Sequence, residues 1–340
     1  MAAQTTTFQL ISKAFLYLFL SVAAIFTACN PQDNQPKIPA FDKDEFAVGT
    51  PPPLASHVMA YHTELKMVVM FGGSDPDRAL QNTLWGWDGE NWRILSQNGP
   101  EPRLHTGLAF DEQRNRLIVY GGIKSREESF SDTWEWDGES WTQKAIDAVN
   151  PGIRDHHATA YDAASKKVVL FGGQNENDEF VPETWTWDGD TWMEVAKSGP
   201  EPRSTHRLVY DHSRRKVVLY GGWGKENLLG DFWEWDGRQW HEIEGEHPTA
   251  RGALRIAYFQ EKKQLIVFGG MIDRQSSDET WVRADNVWRK LSAESPSARN
   301  VHGMAYDAAR KRVVLYGGIG ADGRMGDTWE WDGEKWHFIK

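Results

Sequence analysis

An aliphatic run ending in a glycine pair returns six times along this chain, each copy followed by a tryptophan-rich segment that closes, in all but the fifth, on Asp-Gly. The pairs begin at Gly72, Gly121, Gly172, Gly221, Gly269 and Gly317, giving spacings of 49, 51, 49, 48 and 48 residues. A fixed period of that length allows only an array of similar supersecondary units, because one such unit cannot bury its apolar surface alone. The runs between glycines are short, β-branched and aromatic, and are separated by turn residues. They carry no useful helical period and therefore read as strands.

Aligned on the glycines, the copies read MVVMFGG, RLIVYGG, KVVLFGG, KVVLYGG, QLIVFGG and RVVLYGG, with DTWEWDGESW, ETWTWDGDTW, DFWEWDGRQW and DTWEWDGEKW among the segments that follow. The pattern resembles the kelch repeat over about residues 51–340. That resemblance implies an all-β, six-bladed kelch-type β-propeller with four antiparallel strands per blade. The blades would span about 51–99, 100–150, 151–199, 200–247, 248–294 and 295–340.

With 40% hydrophobic residues, 31 Gly and 18 Trp, the chain has ample material for a large core. The repeats hold three Trp in each of five copies and two in the fifth, leaving Trp223 outside the pattern. Pairs such as Trp134 and Trp136 stand two apart and share a strand face, where each ring can bury roughly 150–250 Å² between blades.

Residues Ala14–Phe26 form an apolar run after Lys13, too short to span a bilayer and the right length for an export signal. The run ends FTAC, and Cys29 is the single cysteine. This resembles the lipobox of bacterial lipoproteins, with Phe26 in place of the usual Leu, and implies a signal peptide at 1–28 and lipidation at Cys29. Residues 29–45 are polar and proline-bearing and read as the anchor and a flexible tether, with the propeller at 46–340. Asn30, where family sorting would otherwise place Asp, favours the outer membrane, the protein facing the periplasm or the outside. No thiol then remains for a disulfide or a cysteine metal ligand.

A net charge of -11 argues against nucleic acid and anionic lipid as partners, so the membrane is met through Cys29 only. The chain contains no phosphate-binding glycine loop, HExxH or GxSxG, and no cofactor or metal is expected. A monomeric propeller is expected. Because strands alternate direction, the segments entering the innermost strand and those joining the second to the third share one face, here the loop face. The other face carries tight turns such as WDG. The variable segments, from SDPDRALQN in the first copy to IGADGRMGD in the sixth, lie on the loop face, which is expected to meet a ligand.

Two columns ring that face. Arg103, Arg154, Arg203, Arg251 and Arg299 recur before the innermost strand, with Leu54 in the first copy; Asp132, Glu183, Asp231, Glu279 and Asp327 recur at the start of the third, with Asn82 in the first. Arginine and acid vanish together, which points to an ion pair within each blade, anion recognition being the alternative. Three residues after the arginines stand His57, Thr106, His157, His206, Leu254 and His302, a column read as scaffold, each blade needing the same hydrogen bond. Ligand-binding candidates are His157, His206 and His302 from this column, Arg103, Arg154 and Arg203 from the first, and the off-pattern His105 and His156. Trp223, directly after its glycine pair, and Arg283, where other copies have Trp, complete the set.

Three functions fit. The first is a non-catalytic module that binds a protein or glycan. The second is carbohydrate chemistry, since the chain is similar to periplasmic sialic-acid mutarotases, with His105 or His156 as acid or base. The third is a copper radical oxidase, because galactose oxidase also carries kelch repeats, but its Tyr-Cys crosslink has no cysteine here.

Overall fold

The computed structural model describes residues 43–145, 148–292 and 294–340; the signal-peptide and Cys29 readings lie outside the described residues. The described residues form six antiparallel sheets of four or five strands, one per repeat, and a small hairpin of Met271–Ile272 with Gln275–Ser276. In blade 3, Ala158–Asp162, Lys167–Phe171, Thr184–Trp187 and Trp192–Ala196 pair in sequence order. The expected six-bladed, four-stranded architecture is the observed one.

Burial follows strand position. The second strand is covered on both faces by its own and neighbouring blades, so it reads as a continuous apolar run; Met67–Phe71 is buried throughout. The outermost strand has one free edge and mixes charges with apolar residues, as in Trp192–Ala196, where only Trp192 is fully buried. Trp87, Trp136, Trp187, Trp235 and Trp331 fill equivalent places between blades and are at most 1% exposed. The outer tryptophans stitch neighbouring blades: Trp92, Trp192, Trp240 and Trp336 donate Nε1–H to Thr328, Thr133, Thr184 and Thr280 of the preceding blade at 2.8–3.1 Å.

The glycine pairs are a backbone device. The second glycine donates its N–H to the carbonyl of the column arginine in the next blade, Gly73 to Arg103 at 2.8 Å and Gly173 to Arg203 at 2.9 Å. Gly172 and Gly173 have φ of 66° and 96°, and a Cβ on Gly173 would stand 2.5 Å from the Asp155 carbonyl, so both conformation and space require glycine.

Among the described residues no strand is exchanged between the first and last blades. Leu54 N–H donates to Met325 O at 3.1 Å, Gly318 N–H to Leu54 O at 2.8 Å, and the Tyr316 hydroxyl to the carbonyls of Pro51 and Pro52 at 2.9 Å. The segment before the repeats does add a strand, Val48–Gly49, but on the outer edge of blade 1. Just ahead of it, within the stretch read as tether, Lys43–Glu45 forms a 3-10 turn, and Asp44 pairs with Arg93 at 3.0 Å.

Candidate functional site

Immediately before each innermost strand, one residue adopts a left-handed backbone: Ser56, His105, His156, Thr205, Ala253 and Val301, with φ between 47° and 62°. Each donates its N–H to the carbonyl of the corresponding residue in the preceding blade. The chain of bonds runs His105 to Ser56 (3.2 Å), His156 to His105 (3.0), Thr205 to His156 (2.9), Ala253 to Thr205 (3.0), Val301 to Ala253 (3.0) and Ser56 to Val301 (2.8). The circle is closed. This belt of six peptide groups ties every blade to the next around the loop-face end of the channel. Left-handed Val and Thr are costly conformations, and the belt supplies the compensating bonds.

Below the belt lies a cavity of about 450 Å³ lined by the innermost strands of all six blades. Its walls are mostly small or apolar, including Ala60, Ala109, Ala160, Ala257 and Ala305. None of the six belt residues lines it, whereas exposed Glu112, His212 and Gln260 at the far strand ends do. The cavity therefore opens on the tight-turn face, opposite the loop face expected to receive a ligand. The belt is the reason.

The cationic floor of this cavity is new. Arg207 and Arg255, two residues past the belt in blades 4 and 5, both line it. Arg207 Nη1–H donates to its neighbour's carbonyl, His206 O, at 2.7 Å. Arg255 donates to Leu254 O at 3.0 Å and reaches the His57 carbonyl in blade 1 at 2.9 Å. Among the described residues neither guanidinium forms an ion pair. Burial pushes Arg207 down to about 10, and burial with the Arg207 charge pushes Arg255 well below the usual arginine range.

The sequence candidates fall into distinct places. Arg103, Arg154 and Arg203 are 0–3% exposed and paired within their blades: Arg103 with Asp132 at 2.5 Å, Arg154 with Glu183 at 3.4 Å, Arg203 with Asp231 at 2.5 Å. Arg251 pairs with Glu279 and Arg299 with Asp327 in the same way. Each also donates to the first carbonyl of its own glycine pair, Arg203 to Gly221 O at 3.2 Å for example. These are internal crosslinks, as the joint loss of arginine and acid in blade 1 suggested. Leu54 there is buried, and Asn82 donates instead to Pro100 O at 3.1 Å.

His57, His157, His206 and His302 are 0–2% exposed. What recurs at this column is an aromatic contact. The rings lie edge-on to Tyr316, Tyr120, Phe171 and Phe268 of the preceding blade at 5.4–5.8 Å. His206 Nε2 also stands 3.1 Å from Phe171 O. Burial first, and nearby arginines second, lower His57 to about 3 and His157, His206 and His302 well below 6.5, so all four are neutral.

The off-pattern His105 and His156 come together in the belt, their rings stacked 3.6 Å apart at 23°. His156 Nδ1 is hydrogen-bonded to Asp155 Oδ1. Burial, then the charges of His156, Arg207 and Arg255, hold His105 well below its ordinary value. Trp223 lies over the next blade, where a Cβ on Gly252 would stand 2.5 Å from Trp223 Cδ1. Arg283 is 6% exposed, between blades 4 and 5, its guanidinium 4.9 Å from the Phe232 ring centre. It occupies an inter-blade tryptophan place and does not reach the loop face.

Sequence reading missed Arg207 and Arg255. Their column reads Val58, Gly107, Ala158, Arg207, Arg255 and Gly303, and two arginines among small residues at a channel wall are a legible deviation. The blades, the glycine pairs and the tryptophan ladder accord with what protein families show: the model of the KLHDC2/KLHL20/DRC7 Kelch-repeats domain matches residues 56–243 and again 137–282. The chain belongs to the kelch-repeat family. No curated protein matches it. In this kelch propeller, among the described residues, no three His, Cys, Asp or Glu side chains converge as a metal site.

Proposed function

We propose that this kelch propeller is a lipid-anchored, extracytoplasmic binding module that holds a protein or glycan partner on its loop face without chemistry. The observation that carries the reading is the contrast between a rigid base and unlike loops. The belt, the glycine staples and the arginine crosslinks are nearly uniform around the ring, and what they carry is not. Blades 2 and 6 raise long hairpins, Arg116–Ser125 with Glu128–Trp136 and Arg312–Gly320 with Gly323–Trp331. Blade 2 exposes Lys124, Arg126, Glu127 and Glu128 at its tip. Varied polar loops on a fixed frame suit recognition of a hydrated partner. His105 and His156 do not line the cavity, so the acid-base reading lacks a substrate chamber beside them. The anchor and location rest on the FTAC motif and the apolar run before it.

A photo-crosslinking residue at Arg126 on the loop face, compared with one at Arg238 in the turn opposite, tests the reading in the membrane-bound full chain. A discrete adduct from position 126 and none from 238 is expected; adducts from 238 alone, or from neither, overturn it. Metabolic labelling with an alkynyl fatty acid, lost in Cys29→Ser, tests the anchor separately.

A further inference from the structure

We propose that Arg207 and Arg255 form the floor of a second ligand site, in the central channel, that takes a small organic carboxylate entering from the tight-turn face. This goes beyond the loop-face reading and stands or falls without it.

The argument begins with charge. Two guanidiniums line one cavity in the channel, and neither forms an ion pair among the described residues. The same fold shows how it treats arginines that serve the frame: Arg103, Arg154, Arg203, Arg251 and Arg299 each have a carboxylate partner. Arg255 is 5% exposed, and a buried charge without a partner is costly; the partly buried Arg207 in the same cavity adds a like charge to it. Their backbone contacts use Nη1 of Arg207 and both Nη atoms of Arg255, so the planar forks keep further N–H donors for an incoming anion.

The chamber selects among anions. At about 450 Å³ it falls within the range of small-molecule sites and excludes a folded partner. The cavity stops short of the belt residues, so the arginines lie at its belt end, roughly 16 Å from the far rim by strand rise. Glu112 stands at the rim, and the chain carries a net charge of -11. A polyanion such as a phosphate ester meets that field at entry, while a monocarboxylate meets the least of it. The alanine-rich walls accommodate an organic body behind the carboxylate, and the cavity-lining tyrosines Tyr61, Tyr161, Tyr210, Tyr258 and Tyr306 line its outer half.

Calorimetric titration of the full chain with acetate, glucuronate, glucose and inorganic phosphate is the test. Glucuronate differs from glucose in carrying a carboxylate, so at least tenfold tighter binding of glucuronate is expected, with phosphate weaker than either carboxylate. Arg255→Gln and Arg207→Gln should each weaken glucuronate at least tenfold. Equal binding of glucuronate and glucose, no binding of either carboxylate, or wild-type affinity in the double variant overturns the proposal. Should the variants not fold, phenylglyoxal modification of the wild-type chain decides: glucuronate, and not glucose, should slow reaction at Arg207 and Arg255 severalfold, and lack of protection overturns it.

Discussion

Arg203 and Arg207 stand four residues apart in blade 4 and are used in opposite ways. Arg203, with its counterparts around the rim, is buried against Asp231 and a glycine carbonyl. Arg207, with Arg255, lines a channel whose carboxylate, Glu112, stands at the far rim, and neither guanidinium is ion-paired among the described residues. The rim set recurs in five blades and loses its acid wherever it loses its arginine; the channel pair occurs in two blades and has no recurring acid. In the crosslinking set, each charge arrives with its carboxylate encoded in the same blade.

The largest effect extends that contrast to protons. His57, His157, His206 and His302 are held neutral by burial beside both arginine sets. Their folded values lie below the ordinary 6.5, so the unfolded chain takes up protons first as the pH falls. Their contribution is therefore complete above pH 6.5 and is lost progressively as the pH falls below it, for His57 down to about 3. Each histidine costs about 1.4 kcal/mol per pH unit in that window, so four titrating together remove roughly 5 kcal/mol by pH 5.5. Urea unfolding at pH 7.5 and 5.5 measures it, and a flat profile would show these imidazoles to be protonated in the fold.

Breaking the rim comes next. Arg203→Met takes the guanidinium from Asp231, leaving it the Trp233 Nε1–H bond, and removes the bond to Gly221 O, and should cost about 3 kcal/mol by chemical denaturation. The parallel change in the channel should go the other way. Arg207→Met with Arg255→Met removes two uncompensated charges from an apolar chamber, and an increase of about 1–3 kcal/mol is expected without ligand. A loss in both cases would place the channel pair with the frame.

Much of this was legible, and the gaps have physical causes. The period, the glycine pairs and the Trp-Asp-Gly turns encode blade count and strand order, because those features act locally. The arginine-acid crosslinks were readable because Leu54 and Asn82 drop both partners at once. The belt was not readable. Its residues are Ser, His, His, Thr, Ala and Val, none a glycine, and their left-handed backbone is imposed by neighbours about 50 residues away in sequence. Without the belt, the mouth of the channel could not be assigned to a face. Arg207 and Arg255 were visible as residues, but their meaning depends on which end is closed.

The smallest effect tests the same rule on uncharged groups. Trp240 in blade 4 donates Nε1–H to Thr184 of blade 3 at 2.8 Å. One blade on, the place of Thr184 is taken by Phe232, whose ring meets Trp288 edge-on at 5.9 Å, and Trp288 Nε1 has no hydrogen-bond partner among the described residues. Thr184→Val keeps the shape of the hydroxyl-bearing side chain and strands the Trp240 donor, so a loss of about 1 kcal/mol is expected. Phe232→Thr offers the missing acceptor but opens a cavity beside Arg283, which rests over the Phe232 ring at 4.9 Å. Thermal unfolding of both variants separates the two contributions. If Thr184→Val is silent, the ladder of tryptophan bonds around the ring is geometric accompaniment, and the frame owes its rigidity to the arginine crosslinks and the belt.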